Sequence, residues 1–228
     1  MRLSIIAATL LSAFAAIPAL AADEPASPHT LTGNFNFTNN YMFRGITQTD
    51  DKPALQGGFD YSHASGAYLG TWASNISWLD ASGKSSMEWD VYGGYKFNAG
   101  PVTFDVGALQ YFYPGAKVDG VTDADTTELY AAATWKGFTA KYSHAVTDLF
   151  GVTDSKGSYY PELNYAAEIG AGVTASAHVG RQHVENGISY NDWKLGVSKE
   201  IFGLTVGAYY VDTDISKPRG VVTIGKSF

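Results

Sequence analysis

The 228-residue chain has no cysteine. That removes disulfides, thiolate metal sites and a lipid-modified cysteine behind an export signal. Charge is scarce: Asp, Glu, Lys and Arg make up only 16% of the residues, against roughly 25% in ordinary soluble domains. What charge there is leans acidic, with 15 Lys+Arg against 22 Asp+Glu. A chain of that sign without a basic patch is not built for nucleic acid. Long apolar runs are missing too. Beyond residue 21 nothing approaches the roughly 18 apolar residues of a membrane-spanning helix, and the mean hydropathy is −0.09.

The one apolar run stands at the start. Met1-Arg2 is a short basic opening, residues 3–20 are rich in Ala, Leu and Ile, and Ala19-Leu20-Ala21 has the small-x-small form of a cleavage site. This reads as a secretory signal peptide over 1–21 rather than an anchor helix. A flexible N-terminal tail is expected over 22–30 and a single folded unit over 31–228. Without Arg2, 14 Lys+Arg face 22 Asp+Glu, a net charge of −8.

What the chain has in quantity is aromatic residues, 14% of the total with 15 tyrosines, and 25 glycines. They are arranged with a period of two. Phe35, Phe37, Tyr41 and Phe43 alternate with Asn34, Asn36, Thr38, Asn40 and Arg44; after a polar loop at 47–53, Leu55, Phe59 and Tyr61 alternate with Gln56, Asp60 and Ser62. That is a β-hairpin with one oily and one wet face. Similar segments follow at 68–78, 87–97, 102–113, 127–135, 138–146, 159–167, 173–180, 191–199, 204–211 and 221–228, about twelve in all. In the segment at 68–78, Tyr68, Gly70, Trp72, Ile76 and Trp78 share a face.

The links between segments alternate in length. Short ones fall at 64–66, 98–100, 136–137, 169–172 and 202–203; longer polar ones at 47–53, 79–85, 114–125, 147–157, 182–189 and 212–218. Short turns at one rim and long loops at the other are the pattern of a closed antiparallel transmembrane β-barrel of about twelve strands, with short periplasmic turns. An even strand number returns both termini to the short-turn rim. Lipid offers no hydrogen bonds, so such a sheet must close. Aromatics gather into two expected girdles. Phe35, Phe37, Tyr68, Tyr95, Phe97, Phe104, Trp135 and Phe138 are assigned to the short-turn rim. Tyr41, Phe43, Trp78, Trp89, Phe112 and Tyr159 are assigned to the loop rim. At the C-terminus Val222, Ile224 and Phe228 share a face. A terminal aromatic on such a strand resembles the signal read by the barrel assembly machinery, although Lys226 interrupts the apolar series.

The run YMFRGITQTDDKPALQGGFDY at 41–61 resembles the TorF-like porins, also catalogued as the Gcw-chp family of bacterial proteins. Tyr41, Arg44, Gly45, Gln48, Asp50, Pro53, Gly57 and Gly58 carry the match, and YLGTWASNISW at 68–78 resembles the family's next strand. The resemblance implies a bacterial outer-membrane barrel that passes small hydrophilic solutes. It implies no catalytic residue.

Parity places eleven charged residues on the wet face: Arg44, Asp60, Glu88, Asp90, Lys96, Asp105, Glu128, Lys141, Glu162, Asp192 and Lys194. Seven acids against four bases line an expected pore with a mild preference for cations; paired across the lumen, the same charges would plug it. Arg44 is expected to pin the first loop through a carboxylate such as Asp50 or Asp60. Pro53 would stiffen the loop exit, while Gly45, Gly57 and Gly58 would allow bends or close strand approach. Ser176 and His178 share a face, but no carboxylate lies beside them on that strand, so a hydrolase is disfavoured. The histidines at 29, 63, 144, 178 and 183 show no metal spacing, and no catalytic, cofactor or metal residue is assigned. The remaining alternative is a non-conducting surface barrel that uses its longer loops as contacts.

Overall fold

A computed structural model describes residues 27–79, 85–115 and 124–228. The expected signal peptide and the tail residues 22–26 lie outside the described residues. The strands are β1 (His29–Thr38), β2 (Met42–Phe43), β3 (Ile46–Thr47), β4 (Ala54–His63), β5 (Ala67–Asn75), β6 (Met87–Ala99), β7 (Val102–Phe112), β8 (Thr126–Trp135), β9 (Phe138–Ala145), β10 (Tyr159–Gly170), β11 (Val173–Gln182), β12 (Tyr190–Ile201), β13 (Leu204–Thr213) and β14 (Arg219–Ser227). β1 and β4–β14 close into one antiparallel barrel of twelve strands, and β2 and β3 form a separate small hairpin. Closure joins Phe37 to Ile224 on one side of β1 and to Leu55 on the other. His29 and Thr30, expected in the tail, already pair with His63 and Ser62.

The chemistry of the turns explains the short rim. Lys136-Gly137, Ala171-Gly172 and Phe202-Gly203 each place both residues at positive φ, for example 47° and 84° at Lys136 and Gly137. Those values match a tight hairpin turn whose twist suits the flanking strands. Glycine in the second position avoids the steric penalty of a left-handed backbone.

Alternation then sorts the side chains. Leu55, Leu129, Leu163, Leu195, Val179 and Val222 project outward and are about half exposed or more. The inner face carries Asn36, Gln56, Glu88, Asp90, Asp105, Glu128, Asn164, His178 and Asp192, all buried within the bore. Five tyrosines lie flat against the inner wall, each over a glycine. A Cβ at Gly70 would sit 2.3 Å from the Tyr92 ring, at Gly94 2.5 Å from the Tyr68 hydroxyl, and at Gly107 2.5 Å from the Tyr130 hydroxyl. At Gly180 it would lie 2.0 Å from the Tyr160 hydroxyl, and at Gly196 2.0 Å from the Tyr209 ring. These glycines let large rings line the wall instead of crossing the lumen.

Three expectations change. β1 stops at Thr38, and Tyr41 and Phe43 turn into the barrel rather than toward its outside: Tyr41 is buried, and Phe43 packs edge-on against Tyr111 and Phe150. The cause is the polar Thr38-Asn39-Asn40 step, which ends the strand and breaks the parity. On β5, Tyr68 and Trp72 face inward, Ile76 just beyond it is buried, and Leu69 faces outward. Both faces of this strand carry apolar groups, so hydrophobicity alone cannot choose between them. Finally, β1 begins five residues earlier than the alternating run suggested, so Phe35 and Phe37 lie in its loop-side half, not at the short-turn rim.

Replacing Gly180 with Ala should displace Tyr160 and cost about 1–3 kcal/mol, the usual penalty of overpacking. Gly220→Ala, where nothing lies within 4 Å of the added methyl, should be nearly neutral. Urea unfolding of the two variants in matched detergent micelles checks this; equal midpoints would show that the tyrosine–glycine fit is not needed for stability.

Candidate functional site

The loop at 39–53 folds down into the bore. Its entry is tied by short polar side chains. Asn39 accepts a hydrogen bond from the Val222 amide (2.7 Å). Asn40 accepts from the Thr47 hydroxyl (2.6 Å) and donates to Asp51 (2.7 Å), joining the two limbs of the loop. Its tip is the turn of the β2–β3 hairpin, with Arg44 at φ 45° and Gly45 at φ 76°. A left-handed backbone at Arg44 costs roughly 1–2 kcal/mol. At Gly45 a Cβ would lie 2.4 Å from Thr213 and 2.6 Å from Asp192, so the hairpin tip touches the wall at β12 and β13.

Across the bore the hairpin is held by specific contacts. Arg44 forks onto both oxygens of Glu128 (2.9 and 2.7 Å) and donates to the Gln182 side-chain carbonyl (2.7 Å). Its guanidinium lies 4.3 Å from the centre of the Tyr160 ring. Arg44 and Glu128 side chains are only 7% and 2% exposed. Taking away one partner of such a pair costs about 3–5 kcal/mol, because the other is left buried and uncompensated. The expected partners Asp50 and Asp60 are not used; the fork belongs to a carboxylate on β8, 84 positions away. Asp60 instead accepts from the Tyr92 hydroxyl (2.6 Å).

Beside the fork, Tyr41, Trp72, Ile76, Leu109, Tyr111 and Tyr113 form an aromatic-rich cluster against which Phe43, Leu79 and Phe150 pack. The Tyr41 hydroxyl donates to Glu88 (3.1 Å). Asp90, the cross-strand neighbour of Trp72, is 1% exposed, and among the described residues neither its Oδ1 nor Trp72 Nε1 has a hydrogen-bond partner. At the top of the loop Asp51 is clasped by Arg219 and lies 3.6 Å from Lys217.

Toward the short-turn rim the inner wall is wetter. Lys96 is half exposed and lies 3.8 Å from Asp105, with its ammonium 4.8 Å from the Tyr68 ring. Tyr68 meets Tyr130 hydroxyl to hydroxyl and donates to Asp105 (2.6 Å). Lys141 lies over the Tyr130 ring and Lys194 over that of Tyr209. Over the inner wall as a whole, acids and bases are mixed: Asp60 on β4, Lys96 on β6, Asp105 on β7, Lys141 on β9, Glu162 on β10, and Asp192 and Lys194 on β12. The eleven charged candidates thus all lie inside the barrel, Arg44 on the inserted hairpin and the others on the wall.

Ser176 and His178 do not form a dyad. The His178 Nε2 faces Asp192 (2.9 Å) and Tyr160 (2.9 Å), and its Nδ1 faces the Asn164 side-chain oxygen (2.8 Å). Both ring nitrogens are committed, while Ser176 Oγ turns to the Gly196 carbonyl at 3.5 Å. Carboxylates do stand next to His178, as sequence parity on one strand could not reveal: Asp192 from β12 and, 3.6 Å from Nδ1, Glu162 from β10. Sequence reasoning also missed Gln182 and Tyr160 as partners of Arg44. Their inward parity and the glycine opposite Tyr160 were the available signals.

A family model described as "Bacterial protein of unknown function (Gcw_chp)" matches residues 22–227. No curated protein sequence matches. Among solved structures, a "KdgM porin" superposes with a TM-score of 0.59 at 9% identity, over 86% of this chain and 99% of that one. A "KdgM porin in complex with disordered oligogalacturonate" gives 0.57 at 8% identity, over 87% and 99%. At such identities the likeness is one of fold.

The clasp generates a pH prediction. The hydrogen bond from Arg219, together with the Arg219 and Lys217 charges, holds the Asp51 carboxyl below its ordinary range. A depressed carboxylate stabilises the seated loop in full above its unfolded value of about 3.9, and that contribution is lost as pH falls through its own lower value. The loop should stay seated at neutral pH and loosen below about pH 4. Arg219→Ala should loosen it at neutral pH. Amide-exchange protection across 39–53, corrected for intrinsic rates, reads both; unchanged protection would remove the clasp from the list of anchors.

Proposed function

Since the chain belongs to the Gcw_chp family of bacterial proteins of unknown function, we propose that it is an outer-membrane porin-like channel for passive diffusion of small hydrophilic solutes. One observation carries this: a closed barrel whose outer face is an apolar belt and whose inner face is polar and charged. Each large apolar side chain left in water forfeits about 1.5–3 kcal/mol. A belt running from Leu55 and Phe59 through Trp89, Leu129 and Leu163 to Leu195 and Val222 therefore calls for an apolar solvent. Aromatic pairs such as Phe97–Phe104 near the short turns and Trp89–Phe112 near the loops stand where a bilayer's two interfaces would fall.

The TorF-like designation, export by the signal at 1–21 and handover to the barrel assembly machinery through Phe228 belong to this same reading. So does the cation preference, which rests on seven acids against four bases among the inward charges. Glu128 and Arg44 neutralise one another, which leaves the remaining balance acidic. A bore of that sign is poorly matched to a polyanionic sugar, the kind of ligand carried by the solved KdgM complex.

A second reading, a non-conducting surface barrel, is favoured by one observation: the seated hairpin reaches from Glu88 and Glu128 to Gln182 and Asp192 across the bore. The longer loops at 114–125 and 147–157 would then be its contact surfaces.

Purified protein in a planar bilayer should give discrete conductance steps, with a reversal potential in a salt gradient that favours cations. Silence across salts and voltages would sink the channel reading and leave the surface barrel. Anion selectivity would contradict the acidic bore. Unboiled protein should migrate differently from boiled protein on a denaturing gel; identical mobility would argue against a barrel that is stable in membrane-like solvents.

A further inference from the structure

Arg44 reaches its partners from a loop, but the partners belong to the wall and are fixed there by other contacts. Glu128 accepts a hydrogen bond from Tyr111 (3.2 Å). Tyr160 is pinned by its hydroxyl to Asp192 (2.7 Å) and by its fit over Gly180. The Gln182 amide nitrogen is spent on the Tyr159 and His183 carbonyls (3.2 and 3.1 Å), which turns its oxygen into the bore. None of these supports comes from the loop. The wall therefore presents a carboxylate, an amide oxygen and an aromatic face in a preset arrangement. A planar guanidinium can satisfy all three at once by a fork, a third N–H bond and stacking. An ammonium cannot fork onto a carboxylate and stack with the same group.

We propose that Glu128, Gln182, Tyr160 and Tyr111 form a binding site for a solute bearing a guanidinium group, and that Arg44 is its tethered occupant. Entry of such a solute displaces Arg44 and unseats the β2–β3 hairpin. Unseating returns water to the buried carboxylates of Glu88, which accepts from the Tyr41 hydroxyl, and Asp90, whose Oδ1 has no hydrogen-bond partner among the described residues, and this lowers the cost of opening. The site rests on geometry alone; its role in passing a solute rests on the channel reading.

The test uses the full barrel in detergent micelles with methylguanidinium as probe and methylammonium as control, at equal ionic strength. In Arg44→Ala the site is empty of its occupant, so methylguanidinium should raise the unfolding midpoint by mass action. Methylammonium should need a roughly tenfold higher concentration for the same rise. Adding Glu128→Gln to Arg44→Ala should abolish the response. An equal response to both cations, no response to either, or a response that survives Glu128→Gln overturns the site. Should Arg44→Ala fail to assemble, Arg44→Lys keeps a cation near Glu128 without the fork and should show the same ranking. Bilayer recordings separate the two readings. Guanidinium-specific stabilisation with no conductance keeps the site and removes the channel; conductance without that stabilisation keeps the channel and removes the site.

Discussion

The ladder between β1 and β14 is the constraint on which the rest of the molecule depends. It runs to the last residue: the Gly33 amide donates to the Phe228 carbonyl at 2.8 Å, and the Phe228 amide donates back at 3.0 Å. Closing the sheet removes both edges, so every barrel strand has two neighbours and no backbone group of the belt needs water. Only then can the outer face be largely apolar. Gly33 has no side chain because the Phe228 ring fills its place, 2.7 Å from where a Cβ would lie.

Closure also creates the problem that the interior must solve. A ring of twelve strands encloses more space than wall side chains of ordinary size fill. The chain answers differently at its two ends. Near the short turns, tyrosines lie along the wall over glycines and leave room for solvated charges such as Lys96. Near the loops, the first long connection dips inward and supplies an aromatic cluster and a guanidinium. Arg44 and Glu128 anchor that insertion. A desolvated ion pair of this kind gives a defined position more surely than it gives net stability, and position is what an inserted loop needs.

The inserted hairpin is held by unequal forces. The Arg44 fork, the Asn40 cross-ties and the Asp51–Arg219 clasp favour its seated form. Against them stand a left-handed backbone at Arg44 and the buried Asp90 carboxylate, whose Oδ1 has no partner among the described residues. An arrangement with opposing terms of a few kcal/mol each is suited to two states, in a way that a uniformly satisfied core is not.

Much of the architecture was legible in the sequence alone. Two-residue alternation, Xaa-Gly turns and the short-long rhythm of the links determine a closed barrel of twelve strands, because a pleated strand has no other way to separate oil from water. The same parity put Asp60, Glu88, Asp105, Lys141 and Asp192 inside. It failed where the periodicity breaks or becomes ambiguous: after Thr38, where Tyr41 and Phe43 enter the bore, and on β5, where Tyr68 and Trp72 are as apolar as the outward Leu69. It also could not pair Arg44 with Glu128. Alternation determines which face a residue occupies, a local property of the strand. Which residues meet across the lumen depends on strand order, stagger and the path of an inserted loop, and these exist only once the sheet has closed.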